Sequence, residues 1–283
     1  MDKQELDNIK QQFYTRFSLN DVRQMIVEVY GSDAKGYAEQ FDLSESMLIK
    51  YKMNILDNVD VIEDKIVCDV GCNNAIWPVM CTMHGAKQVI GIEPRGMFVN
   101  PVNAYCIKNN LPVIIHQGTH RSAETLIIKN KVNTCVLMSV DDIIDEYENF
   151  IYRLAKTPVK NIINECSTLE DELLQHHLIN STIVDGNRVG FTVHYENHNS
   201  TIRAGLSSTN DVVDTETGFQ SQLDETFDIS KTRYTRHLRS ANYIKYIFES
   251  NGFDVVKNRV ADYDNTVHKR ELIRGHWVTV TKN

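Results

Sequence analysis

Glycine and proline are scarce in this sequence, at 13 and 5 of 283 residues. That excludes a collagen-like chain and a Pro/Gly-rich disordered one. No apolar run approaches the roughly 18 residues needed to cross a bilayer, so no membrane association is expected. The opening stretch, MDKQELDNIKQQFY, is polar and lacks the apolar middle of a secretion signal. Positive charge is not in excess: 38 Asp+Glu against 30 Lys+Arg give a net charge of -8, against a generally basic nucleic-acid binder. A disulfide framework is missing too. Cys68, Cys72, Cys81, Cys106, Cys135 and Cys166 are spread out, mostly inside apolar runs. They read as reduced, buried thiols in a cytoplasmic protein. There is no internal repeat and no low-complexity segment.

What is present is apolar content of 42%, enough for a large core in one decorated domain or two. The charge is segregated. Residues 231–283 hold 11 Lys/Arg and 5 Asp/Glu, a balance of +6, which leaves -8 - 6 = -14 for the first 230. A solvated face on a helix and hairpin explains such a tail; a surface for an anionic substrate or a phosphate backbone is the alternative.

The first 60 or so residues read as helix. Val22, Met25, Ile26 and Val29 form one stripe between Asn20 and Gly31; Met47, Leu48, Tyr51 and Ile55 form another after Ser44. The rhythm then becomes strand–helix. Strands are expected at Lys65–Val70, Gln88–Glu93, Pro112–His116, Asn133–Ser139 and Val159–Glu165. Helices are expected at Ala75–His84, Pro101–Asn109, Arg121–Lys129 and Asp142–Ala155. Repeats of that length imply right-handed crossovers and a parallel sheet covered on both faces. The pattern breaks after Glu165. A strand is expected at Phe191–Tyr195 and a polar loop at Ser207–Glu225; His237 reads either as a rim residue or as a surface histidine in a basic helix. Ser240–Ser250 reads as a helix, and Phe253–Val260 with His276–Thr281 as an antiparallel pair. The α/β fold expected is Rossmann-like and seven-stranded: five parallel βα units, a C-terminal antiparallel hairpin and a helical cap.

Ligands of open α/β sheets bind at the carboxyl ends of the strands. The first turn here is Asp69-Val70-Gly71-Cys72-Asn73-Asn74-Ala75. Gly71 permits a tight turn, and Asp69 can accept hydrogen bonds from a ligand amine. Glu93 ends the second strand, 22 residues after Gly71, where a carboxylate can accept from both hydroxyls of a ribose. These features together favour a nucleoside ligand over a plain βα turn. A dinucleotide is disfavoured, because Asn73 and Ile76 replace the later glycines of G-x-G-x-x-G and would crowd a pyrophosphate.

VCDVGCNNA followed by VIGIEP resembles the cofactor motifs of the class I S-adenosylmethionine (SAM)-dependent methyltransferases, over about residues 60–166 and 238–281. The later glycines of that family are missing. The resemblance implies SAM as cofactor. Asp69, Gly71, Cys72 and Asn73 would line its methionine part, Glu93 would hold the ribose and Pro94 would flank the adenine. Gly118, Thr119 and His120 would close over the adenine edge, with Met138 and Ser139 beside the sulfonium. GIEPRGMF and TRYTRHLRSANYIKYIFESNGF are similar, more weakly, to segments of the tRNA wobble-uridine carboxymethyltransferases. There Arg233 matches an arginine that reads a carboxylate on the transferred group.

The resemblance implies methyl transfer, with a small molecule as the leading acceptor. The expected organisation is a cap at 1–60, a SAM-binding domain at 61–167 and 236–283, and a substrate lid at 168–235. Substrate-side candidates are Asp141, Glu165, His194, Arg233, Tyr234 and Arg236, with Asp142 and His237 at the same rim. No single general base stands out, and Asp141 or Asp142 serves equally well as a helix cap. An RNA or tRNA acceptor is the alternative, supported by the tail and opposed by the -14 remainder. A SAM-binding module without catalysis is a third reading. No metal is expected: His116-x3-His120 and His194-x3-His198 lack a third ligand nearby. Trp77 and the strand cysteines read as core.

Overall fold

Runs of β-branched residues buried on both faces make the centre of the sheet. In this computed structural model, β1 (Ile66–Val70), β2 (Gln88–Glu93) and β4 (Thr134–Met138) are buried almost throughout, as parallel strands covered by helices require. The structure describes residues 2–16, 24, 27–28, 45–141, 144, 146–169, 182–184, 187–189, 191–196, 233–262 and 273–282. The chain divides into two units, residues 1–136 and 137–283. Strand order in the sheet is β10-β11-β5-β4-β1-β2-β3. This is the seven-stranded mixed sheet expected.

In the first unit β1, β2 and β3 (Val113–Gln117) run parallel. The helices α1 (Lys3–Arg16) and α2 (Glu45–Asn54) precede them, with a 3₁₀ turn and the short α3 (Val59–Ile62) leading into β1. α1 lies within the first 60 residues read as helix, though no apolar stripe marked it, and it buries only Ile9 and Phe13. Phe13 meets Tyr51 edge-on at 5.2 Å. The Tyr51 hydroxyl lies 2.6 Å from His84 Nε2, and burial brings His84 down to about 4, so it is held neutral. Leu48, Tyr51 and Ile55 are buried as expected. Of the helix expected at 21–30, residues 24, 27 and 28 are helical and the rest lies outside the described residues.

After β1 comes α4 (Ile76–Met83), closed by Gly85 at φ 83°. The next helix, α5, runs Gly96–Lys108, starting five residues before the position expected from Pro101. Proline inside a helix forfeits one backbone bond. Asn103 holds this helix to β3, donating to Ile115 O and accepting from Ile115 N at 2.8 Å each. α6 (His120–Asn130) follows β3.

In the second unit α7 spans Tyr147–Leu154, not Asp142–Ala155. The Asp141 carbonyl is taken by Arg239 Nη1 at 2.6 Å, a partner outside that helix. β5 (Asn161–Leu169) continues past Glu165 because both its edges find partners there. Leu169 pairs with Ile273 of β11 (Ile273–Lys282) and with Ser240 of β9 (Arg233–Ser240). β9 is thus a strand, where a basic helix was one of two readings for His237. The remaining elements are the β6–β7 hairpin (Thr182–Val184, Asn187–Val189), β8 (Phe191–Glu196), α8 (Ala241–Ser250) and β10 (Phe253–Asp262). β10 and β11 are antiparallel, as expected. The loop expected at 207–225 lies outside the described residues. All six cysteines are free and buried. Among the described residues no helix is long and apolar enough to cross a membrane.

Candidate functional site

Two neighbouring parallel strands of the first unit each end in a buried carboxylate. Asp69 is last but one in β1, in register with Gly91; Glu93 is last in β2. Each is 1% exposed. They differ in partners. Glu93 Oε1 accepts from the Arg95 backbone N–H at 3.0 Å and from Arg95 Nε at 2.6 Å, and its Oε2 accepts from the Asn73 N–H at 2.9 Å. Asp69 Oδ2 is sealed from solvent and has no hydrogen-bond partner. Burial, with the Glu93 charge beside it, pushes the Asp69 carboxyl up to about 8. A cationic ligand group would be needed to ionise it at neutral pH.

The turn between α4 and β1 is stitched to the end of β2. Gly71 N and Cys72 N both donate to Ile92 O, at 2.8 and 3.1 Å, and Ala75 N donates to Cys72 O at 2.8 Å. The chain takes left-handed φ at Gly71 (78°), Asn73 (48°) and Ala75 (60°). Asparagine tolerates that region better than most side chains, which is how this turn keeps its shape without the later glycines. The Cys72 side chain is turned into the sheet: a Cβ on Gly91 would stand 2.7 Å from its Sγ. Burial raises this thiol well above its usual range, which removes it as a nucleophile.

At the end of β3, Gly118 N donates to Glu93 O at 3.1 Å. A Cβ on Gly118 would come within 2.3 Å of Ser122 Oγ. Thr119 caps α6, its side chain accepting from Arg121 N, and His120 is the first residue of that helix. The Pro94 carbonyl accepts from Gln117 Nε2 at 3.3 Å. Thus Asp69, Gly71, Cys72, Asn73, Glu93 and Gly118 come together around one turn. Sequence reasoning missed Arg95. It is 8% exposed, and its guanidinium lies 4.4 Å over the Phe98 ring. The available signal was a base two residues after the strand-ending acid.

In the second unit Met138 is buried at the end of β4. Ser139, at the strained φ of 54°, donates its N–H to Glu165 O at 2.7 Å. Asp141 and Glu165 are both buried. Beside them Arg239, 4% exposed, pairs Nε with Glu148 Oε1 at 2.9 Å and lies 5.2 Å over the Tyr147 ring. Tyr147 donates its hydroxyl to Asn164 Oδ1 at 2.8 Å. Arg239 therefore belongs to the interior, and the basic tail is smaller at the surface than its sequence suggests. The Lys282 ammonium is also committed, to the Ala155 carbonyl. On the β8–β9 ladder His194 pairs with Thr235, Tyr234 with Tyr195, Arg236 with Val193 and Arg233 with Glu196. Asp142, His198 and most of the 168–235 segment lie outside the described residues.

No family model matches the chain. The fold is that of SAM-dependent methyltransferases of known structure. Magnesium protoporphyrin IX methyltransferase from Synechocystis PCC 6803, crystallised with bound S-adenosylhomocysteine (SAH), is similar with a TM-score of 0.51 and 12% identity, over 98% of this chain and 100% of that one. A Listeria monocytogenes protein proposed to be a SAM-dependent methyltransferase gives 0.52 at 14% identity, over 86% and 100%. Local sequence similarity reaches protein arginine N-methyltransferase 1 of Dictyostelium discoideum, 30% identical over 142 residues, 47% of this chain. It also reaches the tRNA U34 carboxymethyltransferase of Helicobacter pylori (strain HPAG1), 37% identical over 43 residues, 15% of this chain. The matched segments span 37% and 16% of those relatives' own lengths.

Proposed function

We propose that this chain is a SAM-dependent methyltransferase that holds its cofactor over the turn after β1. One observation carries the reading: a sealed carboxylate oxygen without a partner, on Asp69, beside the strand-ending Glu93. A buried unpaired carboxyl costs free energy unless something binds it. An α-amino group fits Asp69, and ribose hydroxyls fit Glu93. Asp69, Gly71, Cys72 and Asn73 would line the amino-acid end, with Pro94, Gly118, Thr119 and His120 toward the base and Met138 and Ser139 toward the sulfonium. When bound, SAM supplies a methyl group already activated for transfer, so the chain's own residues mainly align the acceptor.

The acceptor proposed is a small molecule, met by segment 168–235 together with Asp141, Glu165, His194, Arg233, Tyr234 and Arg236. The acidic first 230 residues favour this over a polyanion. The short likeness to a tRNA-modifying enzyme supports the second reading, an RNA acceptor. The free, buried cysteines suit a reducing, cytoplasmic setting.

Calorimetry with SAM and with SAH tests the cofactor. Both should bind, and Glu93→Ala should weaken both by about tenfold or more, because it leaves ligand hydroxyls unpaired. Absence of binding by the unaltered protein would remove the proposal. For the acceptor, salt-dependent RNA retardation that disappears in the Arg233→Ala, Arg236→Ala double variant would replace the small molecule by RNA. Binding without turnover across a broad acceptor panel would leave a SAM-binding module.

A further inference from the structure

Glu93 is already largely occupied. A carboxylate offers about four lone-pair positions. Three are taken, by the Asn73 N–H, the Arg95 N–H and Arg95 Nε. What is left open is on Oε2, enough for one hydroxyl donor rather than two. A ribose presents two neighbouring hydroxyls, each able to donate and to accept. The second needs another partner within reach.

Arg95 is placed to be that partner. Its Nε is bound to Glu93 and its plane is steadied over Phe98. Its two terminal nitrogens carry no hydrogen bond among the described residues, and neither is a sealed orphan. They are donors of a rigid fork whose Nε is fixed on the neighbouring carboxylate oxygen, Oε1. Glu93 lacks the donors that a hydroxyl oxygen needs, and Arg95 supplies them.

We infer that Arg95 is a specificity-determining residue of the cofactor site: a Glu93–Arg95 pair reads the ribose diol, Glu93 Oε2 accepting from one hydroxyl and an Arg95 terminal N–H donating to the oxygen of the other. This rests on the proposal that SAM binds here. It adds a selectivity that a lone carboxylate does not give, since the two hydroxyls meet different chemistry. Arg95 is also a cation acting on Cys72 in the same turn.

The test is calorimetric, on the whole chain, with adenosine, 2′-deoxyadenosine and 3′-deoxyadenosine as ribose probes and SAH as the full ligand. The unaltered protein should disfavour each deoxy form, by about tenfold for a lost hydrogen bond to a charged group. In Arg95→Ala the discrimination at one hydroxyl should vanish while that at the other persists. Arg95→Lys, which keeps a charge but not the fork, should retain SAH binding and lose the same discrimination. Ligand-free melting of each variant separates folding from binding. Equal weakening of all three nucleosides in both variants would overturn the inference and make Arg95 a structural residue. So would intact discrimination at both hydroxyls. If the unaltered protein bound neither SAH nor SAM, the cofactor proposal itself would fall, a result distinguishable from the other two.

Discussion

Two buried polar clusters, one in each unit, are built on opposite terms. Around Asp69 and Glu93 the arginine, Arg95, pairs with Glu93, and Asp69 Oδ2 is left without a partner. Around Arg239 the guanidinium is engaged on several sides: it meets the Glu148 carboxylate, the Asp141 carbonyl and the Tyr147 ring. Among the described residues Asn164 Nδ2 is left without a partner there. A cluster satisfied by its own chain contributes to holding the fold. A cluster left short of a cation is arranged for a ligand to complete, and it weakens the ligand-free chain meanwhile. The difference makes a test, because substitutions in the two clusters should change stability in opposite directions.

The largest effect is expected at Arg239. Arg239→Ala removes the guanidinium that ties β9 to Glu148 and to the segment after β4. Breaking a buried ion pair typically costs about 3–5 kcal/mol. Glu148 keeps a 39% exposed side chain and can rehydrate, so a loss of about 2–3 kcal/mol is expected in urea unfolding. SAH affinity at the other cluster should stay within about twofold of the starting value. A large fall in SAH affinity with unchanged stability would reverse the roles assigned to the two clusters.

Asp69 should respond with the other sign. Its carboxyl is pushed up to about 8 in the folded chain, from an ordinary value of 3.8. A raised carboxyl binds its proton more tightly when folded, so its contribution to stability falls as pH climbs from about 4 to about 8. Asp69→Asn removes that titration. The ligand-free protein should gain about 1–2 kcal/mol at pH 8 and little at pH 4, while SAH binding weakens by at least about tenfold. Unfolding at both pH values, with calorimetry at pH 8, checks it. A variant less stable at pH 8 would mean that Asp69 has a structural partner.

Much of this was legible from residue order. Strands β1, β2 and β4 could be placed because burial on both faces writes an unbroken apolar run. D-x-G and the Glu 22 residues beyond pointed to the turn and to β2's end. What could not be read depends on distant partners. Glu148 and Arg239 are 91 residues apart, and nothing local in YENF or LRSA announces the pair. β9 reads as RYTRHLRS, a polar stretch that becomes a strand through pairing with β8 and the tip of β5. The start of α5 was obscured by Pro101 and by an N-cap, Arg95, that carries no capping side chain. Arg95 drew no reading from the sequence, and only the folded chain puts its Nε on Glu93.

The smallest expected effect isolates backbone shape from side-chain chemistry within the first cluster. Asn73 is exposed and makes its one contact to Glu93 through its backbone N–H. Its left-handed φ of 48° is what brings that N–H to bear. Asn73→Gly keeps the conformation, and both stability and SAH affinity should be retained. Asn73→Val adds a β-branched side chain where left-handed φ costs about 1–2 kcal/mol. Since no packed side chain is lost, the melting shift reports that backbone cost alone. Affinity should fall along with stability, because a turn that relaxes withdraws a donor from Glu93 and leaves its carboxylate free to rotate. If Val lowered stability and left affinity untouched, the Asn73 N–H would not be what orients Glu93, and the first cluster would owe its geometry to Arg95 alone.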